Sequence, residues 1–205
     1  MRVLPSGTTA LLIELDDLEQ VLGLYAALVD SLPDGVVDVV PAARTLLVVT
    51  DPVVTTLASV ENVVRRTSPR QRGLKRGELV EIPVNYDGED LEEAAQLLGC
   101  DGPELVRRHT AEEWTVAFCG FAPGFGYLTS KTWQEEMPRR PSPRKKVPSG
   151  SVALAGGFTG VYPRESPGGW QLIGQTDLAM FDPLRRPAAL LRPGIRVRFI
   201  AKTPR

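Results

Sequence analysis

Residues 144–170 read RKKVPSGSVALAGGFTGVYPRESPGGW. A run of three cations enters a Pro-Ser-Gly turn. The short apolar stretch Ser151-Val-Ala-Leu154 then lies between that turn and two further glycine clusters. Glycine and proline break helices, and short β-compatible runs separated by such turns specify a barrel or a sandwich. The signature recurs outward from this stretch. Trp114–Cys119, Trp170–Ile173 and Ile195–Ile200 read as further strands, and Glu78–Val84 as another with alternating character. Two short helices, Asp90–Leu98 and Pro103–Arg108, are expected between the first of these strands and the rest, with Gly99–Gly102 separating them. Residues 77–205 are therefore expected to form one β-rich domain.

Residues 1–76 have a different rhythm. Ala10–Leu15 is a short β-compatible run, and Asp16 or Asp17 can cap a following helix. In that helix Leu18, Val21, Leu22, Tyr25, Leu28, Val29 and Leu32 fall at three- and four-residue steps. Pro33-Asp-Gly35 stops it, and Val36–Val40 and Thr45–Thr50 read as a strand pair. Asp51-Pro52 reads as a second helix start, running through Val60 and Val64 and ending before Pro69. Strand, helix, two strands and helix in this order predict a small ferredoxin-like α/β sandwich. Residues 67–77, TSPRQRGLKRG, are basic and contain Pro and Gly, and they read as a linker between the two domains. The fold class expected is thus α+β.

With 205 residues, 42 % hydrophobic and 24 % charged, the chain can bury a sizeable core. Its formal net charge of −1 gives no global attraction for nucleic acid or anionic membrane. No apolar run approaches the roughly 20 residues that span a bilayer. The start, Met-Arg-Val-Leu-Pro-Ser-Gly, has no apolar secretory core, so a cytoplasmic location is expected. Cys100 and Cys119 are the only cysteines and read as free thiols in that compartment. There is no CxxC and no Cys/His cluster, so no dedicated metal site is expected.

Chemistry is concentrated in the same region as the turns. Seventeen glycines and prolines fall between residues 120 and 174, and nine of the aromatics lie between Trp114 and Trp170. Glycine lets backbone approach a ligand and aromatic rings supply rigid contact area, which suits a groove roofed by loops. A barrel whose turns simply need glycine has the same composition. Arg139, Arg140, Arg144, Lys145 and Lys146 place five cations within eight residues, able to hold phosphate or carboxylate or to form a solvated loop. His109 is the only histidine. It can be a general base near neutral pH or an electrostatic cap of a helix C-terminus. There is no GxxxxGK[ST] loop, no GxGxxG after a strand, no GxSxG elbow and no HExxH.

Phe121–Leu128 (FAPGFGYL), Pro143-Arg144, Val147–Val152 (VPSGSV), Thr159–Pro163 (TGVYP) and Glu165–Gly174 (ESPGGWQLIG) together resemble the family of the 5-oxoprolinase B subunit. That family is also labelled allophanate hydrolase subunit 1 and includes a Kip-type inhibitor of a sporulation histidine kinase. The similarity extends to Ile82–Asp87 and His109. It implies a ferredoxin-like domain followed by a cyclophilin-like β-barrel. It also implies a heteromer in which this chain, inactive alone, works with a homologous C subunit plus an A subunit. That complex opens the 5-oxoproline lactam to glutamate with ATP, and Mg2+ is the expected companion of the nucleotide there. Histidine-kinase regulation and urea or allophanate degradation are the alternative activities the family labels carry.

The resemblance directs attention to His109, Arg144 and Ser149 as catalytic residues. It directs attention to Phe121, Pro123, Phe125, Tyr127, Lys146, Gly150, Ser151, Thr159, Tyr162, Glu165, Ser166, Trp170 and Gln171 as the residues contacting cyclic amide or ATP. Arg144 and Lys146 can supply charge, the GSV and GG stretches can supply backbone N–H groups, and His109 can move a proton. At Phe158 the sequence departs from the family's run, where glutamine is more usual, and a polar contact is expected to be missing there.

Overall fold

A computed structural model describes residues 1–70 and 74–202. The chain forms two compact units, Met1–Lys75 and Arg76–Arg205. The linker expected over residues 67–77 falls in part on residues 71–73, which lie outside the described residues.

In the first unit, β1 (Arg2–Ser6), β2 (Ala10–Glu14), β3 (Val36–Pro41) and β4 (Thr45–Thr50) form one sheet in the order β1-β2-β4-β3. Every neighbouring pair is antiparallel. Helices α1 (Leu18–Asp30) and α2 (Leu57–Arg66) bury Val21, Leu24, Leu28, Val60 and Val64 in one cluster with Leu11, Ile13, Leu46 and Val48 of the sheet. This is the ferredoxin-like sandwich, with the edge strand beside β2 supplied by the N-terminus. The sequence pattern does not show that strand, β1, because Pro5 and Ser6 interrupt its apolar character. Proline is tolerated there because β1 is an edge strand with one unpaired side.

Two boundaries differ from expectation. On α1, Val29 and Leu32 are exposed, whereas Leu24 is buried. The chain leaves the helix at Asp30, so the last turn of the sequence pattern is never used. Asp51 starts a turn instead of a helix. Its carboxylate accepts from Val53 N–H (2.9 Å) and its carbonyl from Val54 and Thr55 N–H. Helix α2 begins only after Thr56, whose hydroxyl accepts from Ser59 N–H.

In the second unit, β5 (Leu79–Val84), β6 (Trp114–Cys119), β7 (Gly126–Thr129), β9 (Ser151–Ala155), β10 (Phe158–Val161), β12 (Gln171–Gln175) and β13 (Arg196–Ala201) form a seven-stranded sheet in the order β12-β9-β10-β7-β6-β13-β5. The two end strands meet. Asn85 N–H donates to Gln175 C=O and Gln175 N–H to Asn85 C=O, both at 2.8 Å, and this pair closes the sheet into the cyclophilin-like barrel. The seam is tight. A side chain at Gly174 would lie 2.6 Å from the Asn85 carbonyl oxygen, and one at Gly88 would lie 2.3 Å from that of Leu172. Glycine is needed at both positions for close backbone approach.

Helices α3 (Leu91–Leu97) and α4 (Gly102–Ala111) contribute Ala94, Ala95 and Leu105 to the barrel core, which also holds Ile82, Trp114, Val116, Leu128, Val152, Leu154, Ile173 and Phe199. A separate two-stranded ribbon, β8 (Arg144–Val147) with β11 (Ser166–Gly168), is antiparallel. Among the described residues no helix is long and apolar enough to cross a membrane.

Candidate functional site

Strand alternation gives the barrel two apolar faces. Val152, Leu154 and Ile173 point into the main core, while Ala153, Ala155 and Leu172 belong to a second cluster with Phe125, Val147, Tyr162 and Trp170. On this second face lies a continuous set of rings. Phe125 meets Tyr127, Tyr162 and Trp170 at centroid distances of 5.1, 5.3 and 5.4 Å, all edge-to-face. Phe118 stacks on Tyr127 at 4.4 Å, and Phe158 meets both of them edge-on. Offset and edge-to-face pairs are the favourable geometries for aromatic quadrupoles. Of the binding residues expected from sequence, Phe121, Phe125, Tyr127, Tyr162 and Trp170 are thus brought together. Phe118 and Phe158 complete the basin. The period-two spacing of Phe118 from Val116 gives no warning of this, because a bulge between those residues shifts the register.

Phe121 is held in an unusual way. Ala122 N–H donates to Gly120 C=O at 2.7 Å across Phe121, whose φ is +66°. A three-residue turn with a side chain at positive φ is rare and strained. Pro123 and Gly124 follow in a second turn closed by Phe125 N–H on Ala122 C=O (2.9 Å), with Gly124 at φ +86° as a type II turn requires. The result leaves Phe121 57 % exposed, its ring resting edge-on against Phe125 (5.3 Å) and Tyr162 (6.0 Å). Pro123 sits beside it at the exposed turn.

The hydroxyls of Tyr127 and Tyr162 are pushed up in pKa by burial, so both phenols stay protonated at neutral pH. The charge of Arg139, and at Tyr162 also that of Arg144, offsets a small part of that rise.

The other residues expected at the site are placed elsewhere. His109 lies inside the barrel end with no exposed surface. Its Nδ1 is 2.7 Å from the Tyr86 hydroxyl and its Nε2 is 2.9 Å from Thr159 Oγ1. Thr159 donates onward to the Ala153 carbonyl (3.1 Å), so it accepts from Nε2–H, and Nδ1 accepts from Tyr86. One neutral tautomer satisfies the whole chain of bonds. Burial pushes the imidazole down to about 3 from an ordinary value of 6.5. His109 is therefore neither a groove-facing base nor a charged helix cap, and Thr159 is its partner in the core rather than a ligand contact. The physical reason is desolvation without a neighbouring carboxylate.

Arg144 is likewise committed. It is paired with Asp90 at 2.6 Å and with Glu89 at 3.2 Å, and Arg140 also reaches Asp90 at 2.6 Å. Asp90 is 2 % exposed, and its other oxygen accepts from Leu172 N–H at 2.8 Å. This cluster ties the start of α3 to β12 and to the β8 ribbon. In the sequence Asp90 is legible only as a helix-starting residue, since its partners lie about fifty positions away.

The Pro148–Ser151 turn is also used internally. Gly150 N–H donates to Tyr162 C=O (2.7 Å) and Ser151 N–H to Pro148 C=O (3.3 Å), so neither is free for an anion. Ser149 is exposed and donates to the Pro163 carbonyl. Lys146 pairs with Glu165 in solvent, and Ser166 donates to the Arg164 carbonyl. Gln171 is buried, with its amide donating to the Pro138 carbonyl and its own carbonyl oxygen unpartnered. Cys100 and Cys119 are not bonded to each other. Among the described residues no three carboxylates, histidines or cysteines converge as metal ligands would.

Comparison with known proteins agrees with this architecture. The family described as "Carboxyltransferase domain, subdomain C and D" matches residues 1–191. The chain is 39 % identical to the 5-oxoprolinase B subunit of Escherichia coli O157:H7, over 95 % of this chain and 93 % of that protein. It is 49 % identical to the 5-oxoprolinase B subunit of Bacillus subtilis strain 168, over 60 % of this chain and 52 % of that one. Among solved structures, TTHA0988 superposes with a TM-score of 0.78 at 36 % identity, covering 96 % of this chain and 41 % of that longer one. The Kluyveromyces lactis urea amidolyase superposes with a TM-score of 0.72 at 15 % identity, covering 99 % of this chain and 16 % of that one, a likeness of fold alone. With near-complete coverage at 39 % identity and a family match over most of its length, the chain belongs to the family of the 5-oxoprolinase B subunit, built on carboxyltransferase subdomains C and D.

Proposed function

We propose that the chain is the B subunit of an ATP-dependent 5-oxoprolinase, opening the 5-oxoproline lactam to glutamate together with an A subunit plus a homologous C subunit. The observation that carries this reading is the 39 % identity to a 5-oxoprolinase B subunit over almost the full length of both chains. The basin supports a binding role for this chain. It offers the partly exposed rings of Phe121, Tyr127 and Phe158, together with the protonated phenol of Tyr127.

A five-membered lactam is a poor electrophile, and its hydrolysis near neutral pH needs activation. Phosphorylation by ATP turns the amide oxygen into a leaving group. The described residues of this chain fit ATP or Mg2+ poorly by themselves, since the turn N–H groups at Gly150 and Ser151 are taken and no carboxylate cluster is present. In the proposed division of labour this chain binds and orients the cyclic amide and shields it from water, while the nucleotide is held with the help of the partners.

Reconstitution tests the proposal. The chain and its A and C subunits are purified separately, then combined, and glutamate formation is followed with 5-oxoproline and ATP. Turnover is expected only in the complete mixture. Turnover by the chain alone, or none from the complete mixture, would overturn it.

A further inference from the structure

Of the five cations in residues 139–146, three are already committed: Arg140 and Arg144 to Asp90, and Lys146 to Glu165. Arg139 and Lys145 are exposed and make no hydrogen bond or ion pair with any described residue. They differ in where the backbone puts them. Residues 137–140 form a strap fixed on both sides. Met137 exchanges backbone hydrogen bonds with Gly156 (3.0 and 2.7 Å), the Pro138 carbonyl accepts from Gln171, and Arg140 N–H donates to Gly169 C=O (2.8 Å). Arg139 is thereby held between the turn preceding Phe158 and the residue preceding Trp170, two corners of the aromatic basin. Lys145 instead lies within strand β8 of the ribbon, and the charge of Arg139 offsets a small part of the rise at both phenols.

We propose that Arg139 and the rings of Tyr127, Phe158 and Phe121 form a binding site for a small carboxylate carried on a compact, non-aromatic ring. The guanidinium fork matches the two oxygens of a carboxylate, with the phenol of Tyr127 as a further donor. Partly exposed ring edges and faces take the apolar side of a five-membered ring, and a bare inorganic anion gains nothing from them. The role assigned to Arg144 by sequence thus passes to Arg139, whose flanking residues are held by hydrogen bonds and whose charge is free. The choice of 5-oxoproline as the natural ring rests on the function proposed above, whereas the site does not.

Isothermal titration of the purified chain distinguishes the two. Four probes are used: 5-oxoproline, cyclopentanecarboxylate, 2-pyrrolidinone, which has the lactam ring without a carboxylate, and inorganic phosphate. Both carboxylates are expected to bind, and to bind more tightly than pyrrolidinone or phosphate. Arg139→Gln should weaken carboxylate binding roughly ten- to hundredfold, the loss of one charge-assisted contact. Lys145→Gln should leave it unchanged, and circular dichroism should show both variants folded. Cyclopentanecarboxylate binding through Arg139 without binding of 5-oxoproline would keep the site and count against the 5-oxoprolinase reading. Failure of both carboxylates to bind, equal affinity of wild type and Arg139→Gln, equal affinity for pyrrolidinone, or tighter binding of phosphate would each overturn the site. None of these would by itself reverse a positive result in the reconstitution assay.

Discussion

Replacing Asp90 by Asn tests whether the charge cluster is structural. The side chain keeps its shape, but a carboxylate that neutralises two guanidinium groups becomes a neutral amide. Asp90 is 2 % exposed, with Arg144 15 % and Arg140 29 % exposed at their side chains, so these charges are poorly rehydrated where they stand. Removing one partner from a buried ion pair costs about 3–5 kcal/mol. The partial exposure of Arg140 and the help of solvent-facing Glu89 put the expected loss near the lower end, about 3 kcal/mol. For a unit of this size that is on the order of 10 °C in Tm. Trp114, Trp133 and Trp170 all lie in the second unit, so urea unfolding followed by tryptophan fluorescence reports on it alone. Adding Arg144→Met to Asp90→Asn should recover part of the loss, because the orphaned cation is then gone. A loss below about 1 kcal/mol for Asp90→Asn, with no coupling to Arg144, would refute the structural assignment of this cluster. Arg144 would then be free for the anion-binding role that its sequence context implies.

Further outcomes follow from individual residues. Below pH 6.5 the unfolded His109 takes a proton that the folded one refuses until about pH 3, so stability should fall by about 1.4 kcal/mol per pH unit across that window, and His109→Gln should flatten the slope in acid-titrated urea unfolding. Gly150 has φ +83°, and a side chain there would lie 2.2 Å from the Thr176 carbonyl oxygen, so Gly150→Ala should cost more than the roughly 1–2 kcal/mol of the left-handed conformation alone, read as a lowered urea midpoint. At Phe121 both Ala and Gly remove the ring, but only Gly accepts φ +66° freely, so Phe121→Gly should be the more stable of the two by about 1 kcal/mol in the same assay. Thiol titration of the unfolded, unreduced protein should find both Cys100 and Cys119 free.

What can be read from the sequence follows the range of each interaction. Barrel strands with an uninterrupted apolar period, such as Trp114–Cys119 and Ile195–Ile200, are legible because one strand's pattern depends only on itself. Strands β7, β8, β10 and β11 are not, since glycine, lysine and proline give them no period, and they exist only because a neighbour pairs with them. The rings of the basin stand out as a compositional cluster, and the fold does assemble them. The charges mislead for the opposite reason. A run of five cations looks like one patch, but strand geometry and distant carboxylates sort it residue by residue. Arg140 and Arg144 turn to Asp90, about fifty positions earlier, Lys146 meets Glu165 across the ribbon, and Arg139 is left exposed without a partner among the described residues.

The same sorting explains why the only histidine is a poor guide to chemistry. A general base must reach the proton it takes from a substrate, directly or through one bridging group, and that needs a ring nitrogen turned toward the ligand. His109 has none: Tyr86 donates to one nitrogen, and Thr159 receives the hydrogen of the other. The network links the segment after β5, helix α4 and strand β10, so its loss should be felt as instability across the barrel end rather than as a specific loss of turnover. Thr159→Val gives the sharpest contrast. It preserves side-chain volume but leaves Nε2–H without a partner in a site closed to water, a cost of about 1–3 kcal/mol. Carboxylate binding at Arg139, on the other face of the sheet, should be unchanged in the folded fraction. A Thr159→Val variant with wild-type stability and impaired binding would show that the interior network reaches the basin, and the separation of the two faces argued from strand alternation would be wrong.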